Sequence, residues 1–167
     1  DGAYDWTTNV WTVYDGSSWV GANSKYIAYY LDPRNFLNET DIFQFESLSF
    51  SKVQTKQGVS SILKGTFMEN TVEDSDGSAL DYAQAFMDIG EETGVSPYHL
   101  ASRVRQEQGL KGTSSLISGT YSGYEGYYNY FNVGAAGITS TLVIKNGLAY
   151  AKKAGWNTRY AALEGGA

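Results

Sequence analysis

The sequence of 167 residues contains no cysteine and a single histidine, His99. These shortages exclude disulfide bonds, cysteine-based zinc sites, cysteine nucleophiles and any catalytic triad that needs a second histidine. The chain also lacks a run of about 18 apolar residues, which excludes a membrane-spanning helix, and it retains no segment typical of a signal peptide. We therefore expect a domain without disulfides, metal or membrane spans.

Positive charge is scarce as well. Lysine and arginine number 12 against 18 aspartates and glutamates, a formal net charge of −6. An acidic chain without a basic stripe is a poor match for a phosphate backbone, which excludes nucleic acid as a partner. Apolar residues make up 42% of the chain and charged residues 18%, so a disordered chain is excluded and one core can form. Of 25 aromatic residues 14 are tyrosines, which suit half-exposed positions.

The distribution of turn and apolar residues predicts a mostly helical α+β domain over residues 1–167. Residues 1–22 are expected to form an irregular arm, and the alternating segment DIFQFESLSF (41–50) resembles a strand. The glycine- and tyrosine-rich residues 111–131 predict a small lobe of hairpins or loops. The principal helices are expected after a cap at Asn23 or Ser24, through VSSILK, over about 78–93, from Pro97 to Gly109, over about 138–153, and from a cap at Asn157 or Thr158 to Glu164.

Glu107 occupies an unusual position in the helix that starts at Pro97. Leu100 and Val104 form an apolar stripe, and Glu107 follows Val104 by three residues, so the helical period turns its carboxyl toward the same stripe. Burial and the negative end of the helix dipole both favour a protonated carboxyl there. This placement fits a general acid. The alternative is a good helix former that is solvated at a frayed helix end.

A second carboxyl, that of Glu125, lies in the segment SGTYSGYEGYYNYF. Tyrosine rings can stack on sugar faces, and the hydroxyls and nearby amides can bond the polar edges of a sugar. Two carboxyls, one on a helix and one on a facing lobe, are usual in glycoside hydrolysis. The alternative is a loop packed on the core, in which Glu125 only maintains solubility.

Two further polar features are interpreted as structural. His99 borders the apolar stripe and has no partner cysteine or histidine, so it is expected to be a hydrogen-bonded structural residue. The acidic cluster Glu73-Asp74-Asp76 does not follow the order of an EF-hand loop and is interpreted as a solvated turn.

Four stretches of the chain resemble the glucosaminidase domains of glycoside hydrolase family 73, found in autolysins of Gram-positive, clostridia-like bacteria. They are YIAYYLDPRNFLNE (26–39), SPYHLASRVRQEQG (96–109), YNYFNVGA (128–135) and GWNTRYAALEGGA (155–167). The resemblance implies a lysozyme-like fold, with a substrate groove between a helical lobe and a small β-lobe. The catalytic glutamate of the family falls on Glu107. Glu125 is the candidate for a second catalytic group, unless the N-acetyl group of the substrate assists. The residues expected to bind substrate are Gln108, Tyr124, Tyr127, Tyr128, Tyr130, Phe131 and Asn132.

The resemblance also implies an activity and a location. The expected activity is hydrolysis of the β-1,4 bond after N-acetylglucosamine in peptidoglycan, by a secreted, monomeric, cofactor-free enzyme of the cell wall. Similar domains continue beyond the final Gly-Gly-Ala, so the chain is expected to be a trimmed catalytic fragment. Two alternatives stay open: a lytic transglycosylase that forms 1,6-anhydro ends, and a non-catalytic wall-binding module.

Overall fold

A computed structural model describes residues 4–13 and 19–167. It contains two compact units, Asp1–Ser47 and Leu48–Ala167. The expected arm over residues 1–22 lies partly outside the described residues. That residues 1–167 form a single catalytic domain stays a prediction. None of the described helices is long and apolar enough to cross a membrane.

The first unit combines a short hairpin with helical segments. Strands β1 (Tyr4–Asp5) and β2 (Val10–Trp11) pair in antiparallel fashion, with Tyr4 opposite Trp11. Helix α1 spans Ser24–Leu31, and the Asn23 side chain caps it by accepting a hydrogen bond from the Lys25 N–H (2.9 Å). Short 3-10 helices follow at Pro33–Phe36 and Asp41–Phe45.

The strand predicted over residues 41–50 is wrong for most of its length. The Asn38 side chain accepts a hydrogen bond from the Asp41 N–H (2.8 Å), which supports a 3-10 turn where the alternating pattern predicts extended backbone. Only the end of the segment is extended in the described chain. There Ser49 forms an antiparallel bridge with Val95, and the Phe50 N–H donates to the Gly94 carbonyl (2.8 Å).

The second unit is built from five helices and one small hairpin within its residues. Strands β3 (Val72–Glu73) and β4 (Ala79–Leu80) pair with Val72 opposite Leu80. The helices are α2 (Lys56–Leu63), α3 (Tyr82–Thr93), α4 (Pro97–Gln108), α5 (Ser140–Ala154) and α6 (Arg159–Gly166). Helices α2, α3 and α4 pack against one another. Their shared core includes Val59, Leu63, Phe86, Ile89, Leu100 and Val104.

Helix α3 starts later than the predicted residue 78. Asp81 is its N-cap, and the carboxylate accepts hydrogen bonds from the N–H groups of Ala83 (3.0 Å) and Gln84 (3.2 Å). The preceding Ala79–Leu80 pair belongs to β4. The Asp81 carboxylate also pairs with Lys56 (2.7 Å) and lies at the positive end of the α3 dipole.

Asp74 corrects the interpretation of the acidic cluster as a solvated turn. Its side chain is buried at 4% exposure, although Glu73 and Asp76 are exposed. The carboxylate accepts hydrogen bonds from the N–H groups of Arg159 (2.7 Å) and Tyr160 (3.0 Å). These are unsatisfied donors at the start of α6, so Asp74 ties the β3–β4 turn to that helix.

Candidate active site

Glu107 lies in the last turn of α4, whose local sequence defines both helix ends. The Ser96 hydroxyl accepts a hydrogen bond from the His99 N–H (3.3 Å), Pro97 occupies the first turn, and Gly109 ends the helix at φ +68°. Leu100 and Val104 are buried on the inner face. The side chain of Glu107 is 21% exposed, a position consistent with the face that the spacing predicts.

Asn132 fixes the orientation of the Glu107 carboxyl. Its Nδ2 donates a hydrogen bond to Oε2 of Glu107 (2.7 Å), and its Oδ1 accepts one from Nε2 of Gln108 (2.9 Å). Asn132 has a positive φ of 56°, a conformation that asparagine tolerates better than most other residues. The left-handed backbone and the two side-chain bonds together hold the amide beside the carboxyl.

Gln108 connects the end of α4 to this turn from the interior. Besides Asn132, its Nε2 donates to the Tyr130 carbonyl (2.7 Å). The residue is only 6% exposed, and its Oε1 is buried without a hydrogen-bond partner among the described residues. Gln108 therefore holds the Asn132 side chain in place. Direct contact between Gln108 and a substrate stays a prediction, and little of the side chain is exposed to make it.

Arg103 is a component that the predicted site does not include. Its Nη2 lies 2.8 Å from Oε1 of Glu107, one helical turn away, and its side chain is 49% exposed. The i,i+4 spacing of Arg103 and Glu107 in the sequence could have revealed the pair. An arginine that precedes a glutamate is the weaker order of such a pair. Only the Arg103 partner is half exposed, so Arg103 is the side chain that can turn away from Glu107.

Two of the predicted substrate-binding tyrosines are core residues in this structure. Tyr130 is 1% exposed, and its hydroxyl is hydrogen-bonded to that of Tyr82 (2.8 Å); burial raises the pKa of Tyr130. Tyr128 is buried against Ser75, with its hydroxyl 2.6 Å from the serine hydroxyl. Neither ring offers an open face to a sugar, because each is packed against neighbouring side chains.

The other predicted aromatic contacts are partly open. Tyr124 and Tyr127 are half-buried, and Nζ of Lys152 lies 5.9 and 5.7 Å from their ring centroids. Such cation–π contacts attach the tyrosine-rich segment to α5. Phe131 is also half-buried and lines a cavity together with His99 and Arg103.

Glu125 is exposed on a loop, in contrast to Glu107. Hydrogen bonds from its own N–H and from the Gly123 N–H (3.0 and 3.1 Å to the two oxygens) lower the pKa of the Glu125 carboxyl, with a smaller contribution from Lys152. The loop is closed by a hydrogen bond from the Gly126 N–H to the Gly119 carbonyl (2.9 Å). Residues 111–131 form turns and loops, and in the second unit the paired strands lie at 72–73 and 79–80.

A cavity of about 460 Å³ lies beside the Glu107 pair. Its lining combines the apolar side chains of Leu100, Phe131 and Val133 with His99 and Arg103. His99, interpreted from the sequence as structural, is therefore partly open to this space. No group of three potential metal-binding side chains occurs within residues 4–13 and 19–167.

The comparisons with known proteins identify similar folds. No protein-family model and no curated protein sequence matches the chain. Among solved structures, the chain is similar to a major bifunctional autolysin (25% identity, TM-score 0.63) and to S. aureus glucosaminidase B (27% identity, TM-score 0.66); each match covers 90% of this chain. S. aureus autolysin E matches over 91% of the chain at 24% identity, with a TM-score of 0.55, which adds support for the fold alone.

The chain spans 58% of the length of the bifunctional autolysin structure, 55% of the glucosaminidase B structure and 60% of the autolysin E structure. Within that span, the prediction of a helix-dominated α+β fold of the lysozyme-like glucosaminidase type is confirmed. The roles of the individual site residues stay predictions.

Proposed function

We propose that the chain is the catalytic domain of a peptidoglycan hydrolase that cleaves the β-1,4 bond after N-acetylglucosamine. The observation that carries this proposal is the Glu107 carboxyl, largely enclosed and held by Asn132 and Arg103 beside a cavity. Its occurrence in a fold similar to glucosaminidase B supports the same class of activity. The proposed enzyme is monomeric, is secreted to the cell wall and needs no cofactor, nucleic acid or membrane.

In the proposed reaction Glu107 is the general acid. The Asn132 amide holds Oε2, so the proton is carried on Oε1 once that oxygen is released from Arg103. Transfer of this proton to the glycosidic oxygen lets the bond from the anomeric carbon to that oxygen break, and the leaving sugar departs as an alcohol. Water then adds to the anomeric carbon, which restores a neutral sugar after one proton is lost.

A second group receives the proton from the attacking water. Glu125 is suited to this role because its lowered pKa keeps the carboxyl ionised. It is bonded to Gly123 in a glycine-rich loop, so we propose that residues 119–126 rearrange when the glycan binds. Assistance by the N-acetyl group of the substrate is the alternative, and in that case Glu125 is dispensable.

Product analysis tests this proposal. Purified peptidoglycan is digested, reduced with borohydride and examined by mass spectrometry, with Glu107→Gln as the inactive control. The proposal expects reduced N-acetylglucosamine at the new ends. Reduced N-acetylmuramic acid would indicate cleavage of the other bond, and non-reducible 1,6-anhydro ends would indicate a lytic transglycosylase. Binding to the wall without release of new ends would indicate a binding module.

A further inference from the structure

One face of α4 carries three ionisable side chains in a row. His99, Arg103 and Glu107 are spaced by four residues, so each lies one turn from the next. His99 and Arg103 also line the cavity of about 460 Å³, and they are the ionisable side chains among the described residues that line it. The cavity thus has the Arg103 guanidinium and no acidic side chain in its lining. This composition favours an anionic ligand.

The pair between Arg103 and Glu107 conflicts with the proposed chemistry. The Arg103 guanidinium, 2.8 Å from Oε1, occupies the oxygen from which the proposed acid must donate its proton to the glycosidic oxygen. The Arg103 side chain is half exposed, so it can turn toward another acceptor without an unpaired charge becoming buried. A ligand that attracts Arg103 would therefore free Oε1 of Glu107 to face the glycosidic oxygen.

We propose that this cavity binds a carboxylate carried by the muramyl residue of the glycan, and that Arg103 exchanges Glu107 for it. The inference rests on the proposed function, because it assumes a peptidoglycan substrate. The carboxylate belongs either to the lactyl group of a bare muramyl residue or to the first residues of its stem peptide. Arginine binds carboxylates in a two-pronged geometry, which suits this exchange.

Two other observations fit a carboxylate-bearing substituent. The cavity volume lies within the range of about 300–1,000 Å³ typical of ligand pockets, and Phe131 and Val133 offer apolar contact for methyl or short side-chain groups. The net charge of −6 repels an anionic polymer in general, so local cations are needed where its carboxylates bind. Arg103 is therefore expected to determine specificity for charged over neutral glycan.

Matched substrates and variants test the exchange. The substrates are glycan strands stripped of peptide, the same strands with the lactyl carboxylate converted to an amide, and strands that retain the stem peptide. The variants are Arg103→Gln and, as a control, Arg105→Gln. Arg105 lies on the same helix, bonds the Ile62 carbonyl (3.0 Å) and is not part of the cavity lining. The control thus removes the same charge from the same helix.

We expect wild type and Arg105→Gln to cleave carboxylated strands with at least about tenfold higher kcat/KM than amidated strands. On amidated strands kcat should fall as well as KM rise, because Arg103 then stays on Oε1 of Glu107. Arg103→Gln is expected to lose this preference. If Arg103→Gln lowers kcat/KM on stripped strands, the carboxylate that Arg103 binds is that of the lactyl group. If Arg103→Gln lowers kcat/KM only on peptide-bearing strands, that carboxylate belongs to the stem peptide. An equal loss on charged and neutral strands would overturn the proposal, because Arg103 would then only position Glu107.

A binding measurement separates this inference from the proposed function. Calorimetry with carboxylated strands is done on Glu107→Gln and on Glu107→Gln/Arg103→Gln. Because the glutamine cannot hold Arg103 by charge, Arg103 is free to bind the carboxylate in the single variant, and the double variant is expected to bind carboxylated strands at least about tenfold more weakly. Equal affinities would overturn the exchange. If the protein binds carboxylated strands more tightly than amidated ones but cleaves neither, the proposed function is refuted and the cavity assignment is supported.

Discussion

Replacing Asn132 separates the backbone and side-chain contributions of this residue to the site. Asn132→Gly keeps a residue that accepts the positive φ of 56° but removes both side-chain hydrogen bonds. Asn132→Ala removes the same bonds and also places a Cβ on a left-handed backbone. Any difference between the two variants therefore reports strain, less the greater unfolded-state entropy of glycine, and their common effect reports loss of the contacts with Glu107 and Gln108.

The expected magnitudes follow from these contacts. A hydrogen bond to a charged group contributes about 1.5–3 kcal/mol, and a carboxyl that is no longer held can cost a reaction about 100-fold in rate. We therefore expect both variants to lose about 100-fold in kcat, with a smaller change in KM. A left-handed alanine costs about 1–2 kcal/mol, so Asn132→Ala should unfold at lower denaturant concentration than Asn132→Gly.

The assay combines release of reducing ends from purified peptidoglycan with urea unfolding of the same preparations. Unfolding measured by tryptophan fluorescence is informative because Trp156 is buried at 5% exposure. The reasoning is refuted if Asn132→Gly retains wild-type kcat, since the bond to Oε2 would then have no role in catalysis. It is also refuted if the two variants are equally stable.

Three further predictions concern other parts of the chain. Asp74→Asn should destabilise the fold by about 2–3 kcal/mol, because an amide cannot accept both hydrogen bonds from the start of α6; thermal unfolding should show this loss, and the exposed control Glu73→Gln should not. Glu125→Gln should reduce kcat with little change in stability, and amides of residues 119–126 should exchange more slowly when a glycan is bound; equal exchange would indicate a rigid loop. Asp81→Ala should cost about 1 kcal/mol at pH 7. Because contact with Lys56 and capping of α3 lower the pKa of Asp81, its contribution is present above the unfolded-state pKa of about 3.9 and is lost as the pH falls further. A stability difference that persists unchanged at pH 2.5 would contradict this assignment.

Local sequence signals predicted the elements that position Glu107. The Ser96-Pro97 start and the Gly109 end of α4 are short-range signals, and the helical period alone turned Glu107 toward Leu100 and Val104. The same kind of signal failed over residues 41–45, where the Asn38 cap favoured a 3-10 turn, and of the alternating segment only its end pairs, through Ser49 with Val95. Hydrogen bonds to the backbone decided the outcome there.

Contacts between residues that are far apart in the chain could not be predicted from local sequence patterns. Asp74 and Arg159 are 85 residues apart, and nothing near Asp74 in the chain indicates that its carboxylate is buried at the start of a helix. Tyr128 and Tyr130 share the composition of the exposed tyrosines around them, and only their packing against Ser75 and Tyr82 distinguishes them as core residues. The link from Gln108 through Asn132 to Glu107 depends in the same way on the fold.

The activity of Glu107→Gln on purified peptidoglycan tests the central claim most directly. Glutamine keeps the shape of the side chain and can still bond Asn132, but it cannot donate the proton that the leaving sugar needs. The unfolding curve and circular dichroism spectrum of Glu107→Gln should match those of wild type. We expect its release of reducing ends to fall at least about 1,000-fold, as for loss of an essential general acid. A folded Glu107→Gln protein that retains more than a few per cent of wild-type activity would contradict the assignment of Glu107 as the catalytic acid.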